Sequence, residues 1–261
     1  MNYLIKYLIT NATIIKNFIA ITLYRIGLIP KDYKGKAKSL FLKNKYHRIF
    51  YKSKLEYNKT GFYYLNPMPS SDFLNEYYEK TYWQTRTDIN FPVRLRDIEH
   101  YNKIINSYKS FNLSSKKILN FGSGHGGVSY LFHAANHQIY NYDFGSTKKN
   151  LFKDRWNNIQ TLENIDFKFD LIYGSHSLEH VQNIKQALEN LKKFSKTETI
   201  YFFEVPNGYN QKVIQPPHTY YFTRQFFLSN FSKVDYCKTF SGSNEMKEEE
   251  GNIIRFHTSL V

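Results

Sequence analysis

The sequence has one cysteine, Cys237, which excludes an intrachain disulfide framework and a cysteine-rich zinc site and makes a reducing cytoplasm the expected home. Acidic residues are also scarce: 22 Asp and Glu stand against 36 Lys and Arg, a formal charge of +14. Such an excess suits a polyanionic partner, either nucleic acid or an anionic membrane face. The lysines, however, are scattered among Asn, Ile, Tyr and Phe rather than gathered in a stripe, which reads as compositional bias, so nucleic acid is not the expected partner. Long uncharged apolar runs are missing too. Lys6, Lys16 and Arg25 break up the apolar N-terminus before any run reaches the roughly 18 residues of a spanning helix, and no small-residue cleavage site follows. Neither a signal nor an anchor is expected there. Leu4, Ile5, Leu8, Ile15, Phe18, Ile19 and Leu23 hold one helical face, suited to packing on the body of the protein, to a dimer contact or to a membrane surface.

What the chain does have is glycine, concentrated in one place. Lys116 to Phe144 reads KKILNFGSGHGGVSYLFHAANHQIYNYDF. The apolar Ile118, Leu119 and Phe121 feed Gly122-Ser123-Gly124-His125-Gly126-Gly127, and a helical pattern follows through Val128, Leu131, Phe132 and Ala135. A second short run, Ile139 to Tyr142, ends on Asp143. This is a β-turn-α-β unit with an acid at the tip of its second strand, the layout of a nucleotide site: the glycines admit the ligand to the backbone, and the carboxylate accepts from ribose hydroxyls. Gly122, Gly124 and Gly127 fit the G-x-G-x-x-G of dinucleotide enzymes, whereas Gly122, Gly124 and Gly126 fit the G-x-G-x-G of S-adenosylmethionine (SAM) enzymes. The motif by itself leaves both open.

The remaining chain sorts into residues 1–59, a basic and apolar helical extension; 60–115, a cap with lead-in helices; and 116–261, the core. After a short aromatic strand, Ser70 or Ser71 is placed to cap a helix carrying Phe73, Leu74, Tyr77 and Tyr78. Asn66-Pro67-Met68-Pro69 invites comparison with the N-P-P-aromatic tetrad of base-flipping DNA enzymes, but Pro69 stands where the aromatic belongs, and a proline turn accounts for it. Arg94, Arg96, Glu99 and His100 fall on an expected helix, 93–108. Lys148, Lys149, Lys153 and Arg155 suggest an outer helix. Further on, an apolar strand from Phe169 stops at Gly174-Ser175 and runs into His176, Glu179 and His180. A helix is expected over 183–195, a strand over 199–205 ending on Glu204, a loop over 210–223 carrying His218, and a helix over 224–229 capped by Thr223. Two final strands, 233–239 and 252–261, close the chain. Strand ends loaded with Ser, His and Glu are where an open α/β sheet places its chemistry.

Taken together, NPMPSSDFLNEYYEKTYW, ILNFGSGHG, Asp143, FDLIYGSHSLEHV, FFEVPNG, PHTYYFT and the terminal strand pair resemble the class I SAM-dependent methyltransferases, in particular the branch that modifies sugars and other small molecules. The resemblance spans residues 60–261. It implies an α/β, Rossmann-like fold: a mostly parallel seven-stranded sheet with helices on both faces and an antiparallel C-terminal strand. It also implies SAM as cofactor, with Gly122, Ser123, Gly124 and Gly126 around its methionine portion, Asp143 on the ribose, Phe144 against adenine, and Ser175 with His176 near the methyl group. Asn120 stands where the family commonly has an acid, and the four-cysteine zinc module with which such relatives often begin is missing.

The reaction so implied is attack of an acceptor oxygen or nitrogen on the sulfonium methyl, with a base to take a hydroxyl proton. His218, His180 and Glu204 are the candidate bases, His218 first, and no metal is assigned. The expected acceptor is a sugar, sugar nucleotide or small phosphorylated metabolite in the assembly of a surface polysaccharide such as a capsule. A nucleic-acid methyltransferase, a NAD-dependent enzyme and a non-catalytic scaffold of the same fold are the alternatives.

Overall fold

The computed structural model describes residues 49–50, 52–82, 93–143, 157–159, 162, 165–210 and 214–259. The chain divides into two units, 1–52 and 53–261. The expected N-terminal helix and the outer helix around Lys148 to Arg155 lie outside the described residues. Among the described residues, no helix is long and apolar enough to cross a membrane.

In the second unit, the apolar runs become strands of one sheet. These are β3 (Lys117–Phe121), β4 (Gln138–Tyr142), β5 (Asn157–Ile159), β6 (Phe169–Ser175), β7 (Ser195–Pro206), β9 (Tyr236–Ser241), β10 (Asn244–Met246) and β11 (Ile253–Ser259). Their spatial order is β10-β9-β11-β7-β6-β3-β4-β5. Strands β3 to β7 run parallel, and β11 lies antiparallel between β7 and β9. This is the expected seven-stranded sheet plus one edge strand: the charged loop SGSNEMKEEEG folds back so that β10 pairs with β9. The parallel strands read as near-continuous apolar runs because both of their faces are covered. On one face Ile118, Leu171, Tyr173, Ile200 and Phe202 pack with Ile104, Val128 and Phe132. These come from helices α2 (Leu95–Ser107) and α3 (Gly127–Ala134). On the other face Leu119, Phe121, Ile172, Tyr201, Phe203 and Phe256 pack with Ile184, Leu188, Leu191, Phe226 and Phe227. Those belong to α4 (Ile184–Lys193) and α5 (Arg224–Asn230).

Local chemistry sets the helix starts. The Ser70 hydroxyl accepts from the Phe73 N–H to open α1 (Ser71–Tyr77), and the Asn183 carboxamide does the same for Gln186 at α4. Thr223 departs from expectation. It holds the cap position of α5, but its hydroxyl donates to the Gly61 carbonyl at 2.8 Å instead of capping.

That bond belongs to a second, three-stranded sheet, β1 (Lys54–Asn58), β2 (Phe62–Asn66) and β8 (Tyr220–Phe222), in the order β1-β2-β8. Two corrections to the sequence reading arise here. Lys54–Asn58, at the end of the stretch read as a helical extension, is a strand, and Tyr220–Phe222 is a strand inside the expected loop. Aromatic residues favour a pleated, half-covered surface. Tyr221 and Phe222 bury fully once paired with β2, a partner more than 150 residues distant that no local pattern reveals.

Candidate active site

A cleft of about 790 Å³, measured out to its open mouth, lies at the carboxyl ends of β3, β4 and β6. This is where an open α/β sheet holds its ligands. The glycine turn forms its floor. Gly122, Gly124 and Gly126 adopt φ of 77°, 53° and 75°, so the turn can track back across the sheet edge, as L side chains rarely allow. It is anchored to the neighbouring strand, because the N–H groups of Gly122 and Ser123 both donate to the Tyr142 carbonyl. The Gly124 N–H donates to Asp143 Oδ2 at 2.7 Å. Gly122, Ser123, Gly124, Gly126, Asp143, Ser175, His176 and His180 all line the cleft. His218 and Glu204 are not on its wall, and Phe144 lies outside the described residues.

The sequence reading did not place Tyr78, Tyr82 or Asp97 in the site, yet they join Arg94 and Arg96 along the cleft. Tyr78 and Tyr82 come from a π-helical turn, Tyr78–Tyr82, that continues α1, a local irregularity that often marks functional sites. Asp97 accepts from the Arg94 N–H at 2.9 Å and fixes the start of α2, which brings both arginines to the cleft. The aromatic run EYYEKTYW was the one available signal for the tyrosines, and it is equally a core pattern.

A family model described as a methyltransferase domain matches residues 95–240, more than half of the chain. The chain belongs to this methyltransferase-domain family. No curated protein matches it. Among solved structures, it is similar to a SAM-dependent methyltransferase from Clostridium acetobutylicum ATCC 824, at 13% identity over 67% of this chain and 94% of that one, with a TM-score of 0.50. The magnesium protoporphyrin IX methyltransferase of Synechocystis PCC 6803, with S-adenosylhomocysteine (SAH) bound, is 12% identical over 74% and 100% of the two chains, with a TM-score of 0.51. A Burkholderia thailandensis 1,6-didemethyltoxoflavin-N1-methyltransferase is 11% identical over 80% and 99%, with a TM-score of 0.52. Identities this low show a shared fold. Family and fold together make this chain a SAM-dependent methyltransferase.

The cleft of this methyltransferase fits SAM on its own chemistry. Its floor is side-chain-free at three positions, and several buried polar atoms of its lining, Asn120 Oδ1 and the Tyr78 hydroxyl among them, have no hydrogen-bond partner among the described residues. Asn120 stands where the sequence resemblance implies an acid. Its Nδ2 donates to Ser129 Oγ, which donates on to Asn141 Oδ1, both at 2.7 Å. The remaining Oδ1 is an acceptor suited to an ammonium group.

Behind the cleft is a buried ionic cluster. Register across β6, β7 and β11 sets Ser175, Glu204 and Arg255 side by side. Glu204 Oε2 accepts from His100 Nε2 at 2.8 Å and from Arg255 Nε at 2.7 Å. Its Oε1 lies 3.4 Å from His176 Nε2 and 3.7 Å from Arg96 Nη1. Burial alone would favour the protonated acid, but the hydrogen bonds from His100, His176 and Arg255 overcome it and hold this carboxyl far below the usual range. His100 Nδ1 lies 2.8 Å from the Tyr173 hydroxyl, which burial keeps protonated, so this imidazole links the phenol to Glu204.

His176 bridges this cluster to Glu179, its Nδ1 lying 3.1 Å from Glu179 Oε1. It does so from a left-handed backbone, φ 52°, a strained conformation for a residue with a side chain. Burial disfavours its protonated form, but the hydrogen bonds to Glu179 and Glu204 outweigh that and raise it to about 9. His180 is the opposite case. Burial and the adjacent imidazoles of His218 and His176 lower it to about 3, against the pull of Glu179, so it is neutral. Its ring packs 4.9 Å from that of His218 and edge-on to Tyr78 and Tyr82.

Proposed function

We propose that this methyltransferase moves the SAM methyl group to a hydroxyl of a small acceptor: a sugar, a sugar nucleotide or a small phosphorylated metabolite. SAM supplies a methyl made electrophilic by its sulfonium. In this reading Asp143 accepts from the ribose hydroxyls, the Gly122 to Gly126 turn holds the methionine portion, Asn120 accepts from its ammonium, and Ser175 and His176 line the reacting end. Arg94 and Arg96 bring positive charge to the cleft, which favours an acceptor carrying phosphate or carboxylate. The observation that carries the reading is the cleft itself, lined by the glycine turn, Asp143, Arg94 and Arg96; His180 on its wall, lowered to about 3, is a weak base, so His218, whose ring packs 4.9 Å from it, is the first candidate to take the hydroxyl proton. Glu204 serves as a brace rather than a base, because a carboxylate shared among His100, His176 and Arg255 has little tendency to take a proton.

The polysaccharide context rests on the sequence resemblance, and a cytoplasmic setting accords with the free, buried thiol of Cys237. The test is a calorimetric titration with SAM and SAH, followed by incubation with labelled SAM and a panel of sugars, sugar nucleotides, glycans and RNA. Saturable SAH binding and transfer to a sugar hydroxyl are expected. Transfer to RNA alone, or no cofactor binding, would overturn the reading.

A further inference from the structure

The geometry points to a site for a divalent first-row transition-metal ion formed by Glu179, His180 and His218, next to the SAM cleft. Among the described residues this is the one group in which His, Cys, Asp or Glu side chains each bring a donor atom within 4.8 Å of the others. Glu179 and His180 lie in the short turn Leu178–His180 that follows β6. His218 comes from the approach to β8, far away in sequence. Thr219 ties the two segments together: its N–H donates to the Glu179 carbonyl at 2.7 Å, and its hydroxyl donates to the Val181 carbonyl at 2.6 Å. Both donor segments are therefore held by backbone bonds, independently of any ion.

Three features favour a cation over an ordinary buried cluster. Glu179 is fully buried, and its Oε2 has no hydrogen-bond partner among the described residues, an arrangement that costs about 1 to 3 kcal/mol when nothing compensates it. His176 occupies the other oxygen, Oε1, and so leaves Oε2 to a ligand. His180 Nε2 lies 3.9 Å from that same carboxylate in a pocket walled by Tyr78 and Tyr82. A filled site with metal–ligand bonds of about 2.1 Å sets neighbouring donors about 3 to 3.4 Å apart, so turning the imidazoles by an ångström or so closes the site.

Two imidazoles and one carboxylate suit borderline ions such as Zn²⁺, Fe²⁺, Mn²⁺ or Co²⁺, whereas Ca²⁺ and Mg²⁺ take oxygen-rich shells. The trio reaches the cleft through His180, so the site deepens the acceptor reading above while standing on its own donors. When an ion is bound, His180 and His218 act as its ligands and the ion becomes the local positive charge beside the acceptor.

The full chain, purified without a polyhistidine tag, stripped with chelator and dialysed, is titrated with Co²⁺ while visible d–d absorption is recorded. Metal content after Zn²⁺ loading is measured in parallel by mass spectrometry. One equivalent with cobalt bands of low-symmetry coordination is expected, and His218→Ala should weaken Co²⁺ binding by about a hundredfold or more. Glu179→Gln should do the same, and SAH titration of each variant reports whether it is folded. Wild-type protein that binds SAH yet shows no cobalt bands overturns the site, as do unchanged bands and stoichiometry in folded His218→Ala. If cobalt binds and SAH does not, the metal site stands and the cofactor reading fails.

Discussion

Glu204→Gln is the most informative perturbation of this protein. The substitution keeps size and removes only the charge from a side chain that is fully buried and accepts two strong bonds, at 2.8 Å from His100 and 2.7 Å from Arg255. Bonds to charged groups contribute about 1.5 to 3 kcal/mol each and neutral ones about 0.5 to 1.5, so the pair loses roughly 2 to 3 kcal/mol. The new amide N–H₂ also faces a donor: if Gln Oε takes the Oε2 position, its nitrogen meets His176, and if it is flipped, it meets His100 and Arg255. Arg255 and His176 are left with less compensation inside the fold, bringing the expected loss to about 3 to 5 kcal/mol, the usual range for breaking a buried ion pair.

Urea unfolding at neutral pH, with equal slopes for both proteins, measures this loss. Acid supplies an independent check. The folded carboxyl is held below its unfolded value near 4.5, so its stabilisation is complete above that pH and is lost as pH falls through and below it. The gap between wild type and Glu204→Gln should therefore narrow steadily below about pH 4.5. A gap under 1 kcal/mol at neutral pH, or one that stays constant down to pH 3, would refute the assignment of Glu204 as a charged brace.

Three further outcomes follow from single residues. A Cβ on Gly122 would sit 2.3 Å from Ser177 Cβ at φ +77°, whereas one on Gly242, at φ +61°, meets nothing within 4 Å among the described residues. Gly242→Ala should thus cost only about 1 to 2 kcal/mol of backbone strain, while Gly122→Ala should cost more and abolish SAH binding in calorimetry. Asn120→Asp puts a charge on a side chain that is 2% exposed and removes the donor to Ser129. The free protein should lose about 1 to 3 kcal/mol, and the thermal shift on adding SAM should grow, because the ammonium then compensates the charge. His257 is buried, stacks on Tyr236 and is lowered to about 4, chiefly by burial. Its unfolded form binds the extra proton, so its own contribution is full above about pH 6.5 and falls by roughly 3 kcal/mol between pH 6.5 and 4; the difference in stability between wild type and His257→Gln, followed by urea unfolding across that window, should shrink by that amount.

Much of the fold was legible in the chain. The strand-glycine-helix-strand unit appears where the apolar runs and glycines put it, since a parallel strand covered on both faces has to read as a continuous apolar segment. The Ser70 cap and the start of the helix at Asn183 likewise follow from short-range chemistry. Tyr220–Phe222 and Thr223 were misread because their partners, β2 and the Gly61 carbonyl, are distant in sequence, and pairing across that distance leaves no periodic trace.

The sequence by itself determined the methyltransferase family and the strand-glycine-helix-strand unit with its glycine turn, because backbone conformation there depends on residues that are neighbours in the chain. Only the tertiary structure decided what the charged residues do. Glu204 became a brace when β11 brought Arg255 and α2 brought His100 against it, and His180 lost its proton affinity through burial beside His218. Charge state is set by what surrounds a group in space, and in this protein those surroundings come from five separate segments.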